Sequence, residues 1–125
     1  IDLQTGAATV VSTLDETIPD GAIASVDFNP VADRLRFMGN DGTNLRINVD
    51  TGEVIVDGRL HFDSSDANAD ATPNIVATAY TNSVGSPEAT AMYDIDMDLL
   101  ALIEQARRLG MHPPAFPPKE AAASA

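Results

Sequence analysis

A chain of 125 residues with 44% hydrophobic content is of single-domain size and has the material for a core. Its 19 acidic side chains against 7 basic ones give a formal net charge of −12, which disfavours binding nucleic-acid backbone or anionic lipid by general charge attraction and leaves cationic partners and metal ions open. The absence of cysteine excludes disulfides, thiolate metal sites and cysteine nucleophiles, and no run approaches the ~20 apolar residues of a membrane span.

The chain opens on Ile1-Asp2-Leu3-Gln4-Thr5-Gly6, without the basic or apolar part of a signal peptide, and reads as the interior of a structural element. The same pattern returns at Ile47-Asn48-Val49-Asp50-Thr51-Gly52 and begins again at Ile95-Asp96-Met97-Asp98, at spacings of 46 and 48 residues. A period of ~40–50 residues made of short strands is that of propeller blades.

Within the middle unit, Val26 and Phe28 alternate with polar neighbours, followed by Leu35 and Phe37, then Leu45, Ile47 and Val49, then Val54 and Val56. Four strands are predicted. Asp41-Gly42 suits a tight hairpin turn between the second and third, and Gly52 supplies a left-handed position between the third and fourth. Tight turns would set Leu35 opposite Ile47, Phe37 opposite Leu45, Ile47 opposite Val56 and Val49 opposite Val54, so that the apolar residues share one face. The next unit repeats the plan more loosely, with Leu60-His61-Phe62 as first strand, "IVATAYT" as second and "TAMYDID" as third.

The fold class that follows is mainly β: antiparallel four-stranded meanders of β-propeller-blade type, too few to close a propeller, which needs roughly four to eight blades. The runs "FNPVADRLRFMGNDGTNLRINVDTG" and "DANADATPNIVATAYTNS" with "AMYDID" resemble a bacterial family of secreted or surface proteins, domain of unknown function 4394, over about residues 1–98. The resemblance implies a propeller-type repeat and an extracytoplasmic location, and it carries no catalytic residue or cofactor onto this chain.

Charge shifts near residue 98. Residues 1–98 hold 17 of the acidic side chains and four arginines, whereas residues 99–125 hold Glu104 and Glu120 against Arg107, Arg108 and Lys119. That shift divides a blade-like region, 1–98, from a tail, 99–125. In the tail Leu99, Leu102, Ile103, Ala106 and Leu109 stand at helical spacing between Asp98, a candidate cap, and Gly110. A short amphipathic helix is predicted; a strand from Leu99 to Ile103 completing the second unit is the alternative. Beyond it, "MHPPAFPPKEAAASA" favours an extended, proline-rich path. Leu99, Leu102, Ile103, Arg107, Arg108, Met111, Phe116 and Pro117 are the candidate partner-binding residues, with Phe116 as anchor.

Candidate chemistry is sparse. Asp63, Asp66, Asn68 and Asp70 imitate the start of a calcium loop, but Ala71 stands where the turn glycine belongs and Ala77 where a closing glutamate belongs, so a solvated acidic loop is the better reading and weak calcium the alternative. His61 and His112 have no nucleophile or acid at recognisable spacing, and the serines lack an elbow context. Arg36 and Arg46 are expected as cross-strand neighbours that either meet an anion or a partner's carboxylate or pair with the chain's own Asp33 or Asp57. The expected function is a noncatalytic accessory or scaffold subunit, docking on a larger protein assembly through open β edges and the tail. The alternative is a portion of a secreted or surface propeller that binds an ion, glycan or polymer.

Overall fold

Alternation from Ala24 to Val56 becomes a four-stranded meander in the computed structural model, which describes residues 1–105. Strands β1 (Ala24–Asn29), β2 (Arg34–Gly39), β3 (Asn44–Ile47) and β4 (Val54–Val56) pair antiparallel in that order. A second antiparallel sheet holds β5 (Ile75–Tyr80), β6 (Met92–Asp96) and β7 (Ala101–Gln105), and no helix occurs among the described residues. Register puts two apolar rows across one face of the first sheet, Phe28–Leu35–Ile47–Val54 and Val26–Phe37–Leu45–Val56.

The β3–β4 register differs from the expected one. Ile47 faces Val54 and Leu45 faces Val56, a slip of two residues, because Asn48 closes a longer turn: its N–H donates to Glu53 O at 2.9 Å and its carbonyl accepts from Gly52 N at 2.8 Å. Since side chains alternate with a period of two, the slip leaves the same residues on the same face.

One turn construction recurs four times. Asp2, Asn29, Asn48 and Asp96 each accept, through a side-chain oxygen, the N–H of the residue two positions on. The residue four positions on has positive φ in every case: Gly6 at 73°, Asp33 at 50°, Gly52 at 81° and Leu100 at 51°. Such turns reverse the chain at β1–β2, β3–β4 and β6–β7, and the fourth stands alone at residues 2–7.

The helix expected from residue 98 to 110 is corrected by β7, which pairs with β6 over five positions, from Asp96↔Ala101 to Met92↔Gln105. Asp96 and the left-handed Leu100 turn the chain back along β6, and burial then alternates, with Ile103 packed inward and Leu102 exposed. That period is two, not 3.6, and an isolated helix of about 12 residues is marginal in water, so strand pairing wins. Residues 106–110 of the expected helix lie outside the described residues. The first strand expected at Leu60–Phe62 does not form either; those residues join no sheet, leaving β5 at an edge.

That edge is closed by side chains. The Thr78 N–H donates to Ser25 Oγ at 2.9 Å and the Tyr80 N–H to Asp27 Oδ2 at 2.6 Å, so two residues of β1 supply the acceptors a neighbouring strand would have offered. Beside this seam Met38, Ile75 and Met92 form the buried apolar cluster, with Leu60, Tyr80 and Ile103 packed against it.

Candidate functional site

The seam between the sheets is largely polar. From the first sheet it receives Ser25, Asp27, Arg36, Met38 and Asn44; from the second, Thr78, Tyr80, Met92 and Asp94. Arg36 and Arg46, paired across β2 and β3, converge on Asp57 just after β4. Arg36 Nη1 donates to Asp57 Oδ2 at 2.5 Å and to Asn44 Oδ1 at 2.7 Å, and its Nε to the Tyr80 hydroxyl at 3.3 Å. Arg46 grips the same carboxylate with two donors, Nε at 2.8 Å and Nη2 at 2.9 Å. Burial opposes ionisation of Asp57, yet the hydrogen bonds from Arg46 and Arg36 outweigh it and hold its carboxyl below the usual range. Both guanidiniums, expected to meet either an anion or an internal carboxylate, are thus engaged with their own chain.

Asp94 is treated oppositely. It lies buried on β6, and burial pushes its carboxyl up against the pull of the Thr78 hydroxyl, at 2.6 Å, and the charge of Arg36. Asp96, buried completely, is spent on structure: its oxygens accept from the N–H groups of Asn74, Asp98 and Leu99.

The outer faces carry the opposite character. On the first sheet the two apolar rows look outward, and Phe28, Val26 and Val56 are 46%, 52% and 62% exposed. On the second, Ile95 and Leu102 face each other across β6 and β7, 47% and 70% exposed. Residues 12–15 are tied to the β3–β4 end of the first sheet, with Ser12 Oγ donating to Val49 O, Asp15 N to Gly52 O and Val54 N to Asp15 Oδ1. Leu45 and Ile47, at that end of the rows, are buried. Polar groups therefore bridge the seam around the Met38–Ile75–Met92 cluster while part of the apolar surface of each sheet looks out, a partial inversion of the usual arrangement of two packed sheets.

Of the candidate partner residues, Leu102 is outward and exposed, Leu99 is half-buried, and Ile103 packs inward on the Met38 cluster. Arg107, Arg108, Met111, Phe116 and Pro117 lie outside the described residues. The Asp63–Asp70 loop spends its side chains on itself: Asp63 Oδ1 accepts from Ser65 N and Oγ, and Asp66 Oδ1 from Asn68 N and Nδ2. Among the described residues no three His, Asp or Glu side chains stand together as a group that could hold a metal ion. His61 is exposed, with Nδ1 against the Phe62 carbonyl. A shallow cleft of about 220 Å³ beside Asp57 is lined by Glu16, Thr17, Asn44 and Arg59 among others, and Arg59 Nη1 is bound to the Asp41 carbonyl.

The outward exposure of Val26 and Phe28 was not legible from alternation alone. The signal for it lies in their neighbours Ser25, Asp27 and Asn29, polar residues that the second sheet's Thr78 and Asp94 answer in kind. No helix among the described residues is long and apolar enough to cross a membrane. A family model described as a domain of unknown function (DUF4394) matches residues 1–116. No curated protein and no solved structure matches the chain.

Proposed function

The chain belongs to that family of unknown function, and we propose that it is a noncatalytic docking module, a propeller-blade-type scaffold or accessory piece that joins a larger protein assembly through its outer apolar faces and open β edges. The observation that carries this is the inversion of polarity. Polar bonds across the seam join the two sheets while Val26, Phe28, Val56, Ile95 and Leu102 stay 46–70% exposed, and exposed apolar surface is what protein–protein contacts cover. Strand β7 at the edge of the second sheet, and the part of β4 beyond Val54, whose N–H is taken by Asp15, leave an edge that a further strand can pair with. The Arg36–Asp57–Arg46 network is compatible with the same reading, since both guanidiniums are bound to a carboxylate of their own chain.

Native mass spectrometry of the protein isolated from its source under mild conditions tests this. A 13.1 kDa chain found within a larger particle, and released when Phe28→Asp is introduced, is the expected result. A monodisperse monomer with nothing bound would overturn the proposal.

A further inference from the structure

We propose that the Asp20–Gly21 linkage is a site of spontaneous aspartate isomerisation, and that the fold confines this backbone modification to the link between residues 12–15 and β1. The proposal is independent of the docking reading.

Three aspartates are followed directly by glycine: Asp20, Asp41 and Asp57. Each pair offers the same reaction. The glycine nitrogen attacks the side-chain carboxyl carbon, an N–Cγ bond closes a five-membered succinimide, and one carboxyl oxygen leaves as water with the nitrogen's proton. Water then adds at the aspartate main-chain carbonyl carbon, and the bond from that carbon to nitrogen breaks. The chain now runs through the side-chain carboxyl, one methylene longer and of unchanged mass. Glycine favours the closure because no Cβ shields its nitrogen. Three things oppose it: a carboxylate held in place, a smaller protonated fraction of that carboxyl, and a nitrogen tied into a turn.

Two of the three pairs are restrained in these ways. Asp57 is gripped by Arg36 and Arg46, and despite its burial its carboxyl is held below the usual range. Asn44 fixes the main chain on both sides of that linkage, its carbonyl accepting from Asp57 N at 2.9 Å and its Nδ2 donating to Gly58 O at 3.2 Å. Asp41 Oδ1 accepts from Thr43 N at 2.9 Å, a bond that holds this carboxyl down as well. Gly42 N donates to Gly39 O at 3.0 Å, and the Arg59 side chain lies over Gly42, 3.3 Å from where a Cβ would stand. Asp20 has no such restraint. It and Gly21 are exposed, and neither the carboxylate nor the Gly21 N–H has a hydrogen-bond partner among the described residues. Nothing lies within 4 Å of where a Cβ on Gly21 would stand.

Position makes the change tolerable. Residues 16–22 hang between two fastenings. Asp15 is bonded to Gly52 O and to Val54 N, and Ile23 donates its N–H to Asn40 Oδ1 at 3.1 Å while its carbonyl accepts from Asn40 N at 2.9 Å. Between them residues 16–22 join no strand and make no main-chain hydrogen bond among the described residues, so an added methylene is taken up without breaking one.

The full chain, kept at neutral pH over weeks with a parallel sample in urea, provides the test. Trypsin cleaves after Arg34, Arg36, Arg46 and Arg59 and so places the three pairs on separate peptides, 1–34, 37–46 and 47–59. Chromatography with electron-transfer fragmentation then separates and locates the isomers. In the folded protein isoaspartate is expected to accumulate at Asp20 at least ~10-fold faster than at Asp41 and Asp57, with the three rates within ~3-fold of one another in urea. The aged chain is expected to keep its urea midpoint, and Asp20→Glu, which cannot form the five-membered ring, to silence peptide 1–34. Comparable rates at the three sites in the folded protein, the same ranking kept in urea, or a signal in peptide 1–34 that survives Asp20→Glu would overturn the proposal. A urea midpoint that falls in step with isomerisation would overturn the confinement of the change to residues 16–22.

Discussion

Replacing Gly52 with alanine should cost far more than replacing Gly6, although the two glycines occupy matching turns. Both have φ in the left-handed region, 81° and 73°, where a Cβ costs about 1–2 kcal/mol. Around Gly6 an added Cβ meets nothing within 4 Å, so the backbone term is the whole effect and about 2 kcal/mol bounds it. At Gly52 the Cβ would run into the Thr13 carbonyl oxygen, with the Thr13 carbon at 2.8 Å and Leu14 N at 3.4 Å. Residues 12–15 must then lift away, which threatens three hydrogen bonds, Ser12 Oγ to Val49 O, Asp15 N to Gly52 O and Val54 N to Asp15 Oδ1. At about 1 kcal/mol net for each, Gly52→Ala should lose about 4 kcal/mol in total. Urea unfolding of both variants followed by circular dichroism measures the difference. A gap smaller than about 1 kcal/mol would refute the view that residues 12–15 are fastened to this turn.

Asp57→Ala leaves the Arg36 guanidinium, whose side chain is 13% exposed, without its carboxylate and should cost about 3 kcal/mol, whereas Arg46→Ala, at a side chain 43% exposed, should cost less than about 1 kcal/mol; denaturant midpoints compare them. Asp27→Asn can serve only one of the two N–H groups that Asp27 now satisfies, Phe28 and Tyr80, so a loss of about 1–2 kcal/mol and faster amide exchange at Tyr80 are expected. Asp94 and Asp57 should pull the pH dependence of stability in opposite directions. The raised pKa of Asp94 means that the folded state keeps a proton the unfolded chain loses, so stability falls as pH rises from the unfolded value near ~4 to the folded one, and Asp94→Asn removes that slope. The depressed pKa of Asp57 makes its contribution fully present above ~4 and lost as pH falls through the folded value, a slope that Asp57→Asn removes; unfolding series from pH 3 to about 7 separate the two. Leu100→Gly, which relieves a left-handed leucine on the surface, should stabilise by about 1 kcal/mol as read from the thermal midpoint.

Alternation told which residues share a face, and the pairs Leu35–Ile47 and Phe37–Leu45 follow from it directly. It was silent on which face meets the second sheet, because a pattern of period two is the same whichever side is covered. The β3–β4 slip came from Asn48, whose side chain turns the backbone onto Asp50 before a tight hairpin can close. Leu99, Leu102 and Ile103 fit helical spacing as well as a strand, and only the backbone of β6, remote from that local window, decides between them. The missing strand at Leu60–Phe62 has a similar cause. Ser25 and Asp27 already occupy the β5 edge, a substitution of side chains for a strand that no periodicity encodes. The clash that fixes residues 12–15 at Gly52 likewise joins positions far apart in the chain.

An oily seam between two sheets tolerates sliding, since any apolar atom satisfies any other. The bonds from Thr78 N to Ser25 Oγ and from Tyr80 N to Asp27 Oδ2, with the Arg36 contact to the Tyr80 hydroxyl, admit one rotation and one translation only. The seam thus works as a mitre joint: the angle at which the outer apolar faces are held apart is written in a few polar atoms. Whatever binds those faces inherits that angle, so the curvature of an assembly built from such pieces would be set here, at the joint, rather than by the surfaces that touch.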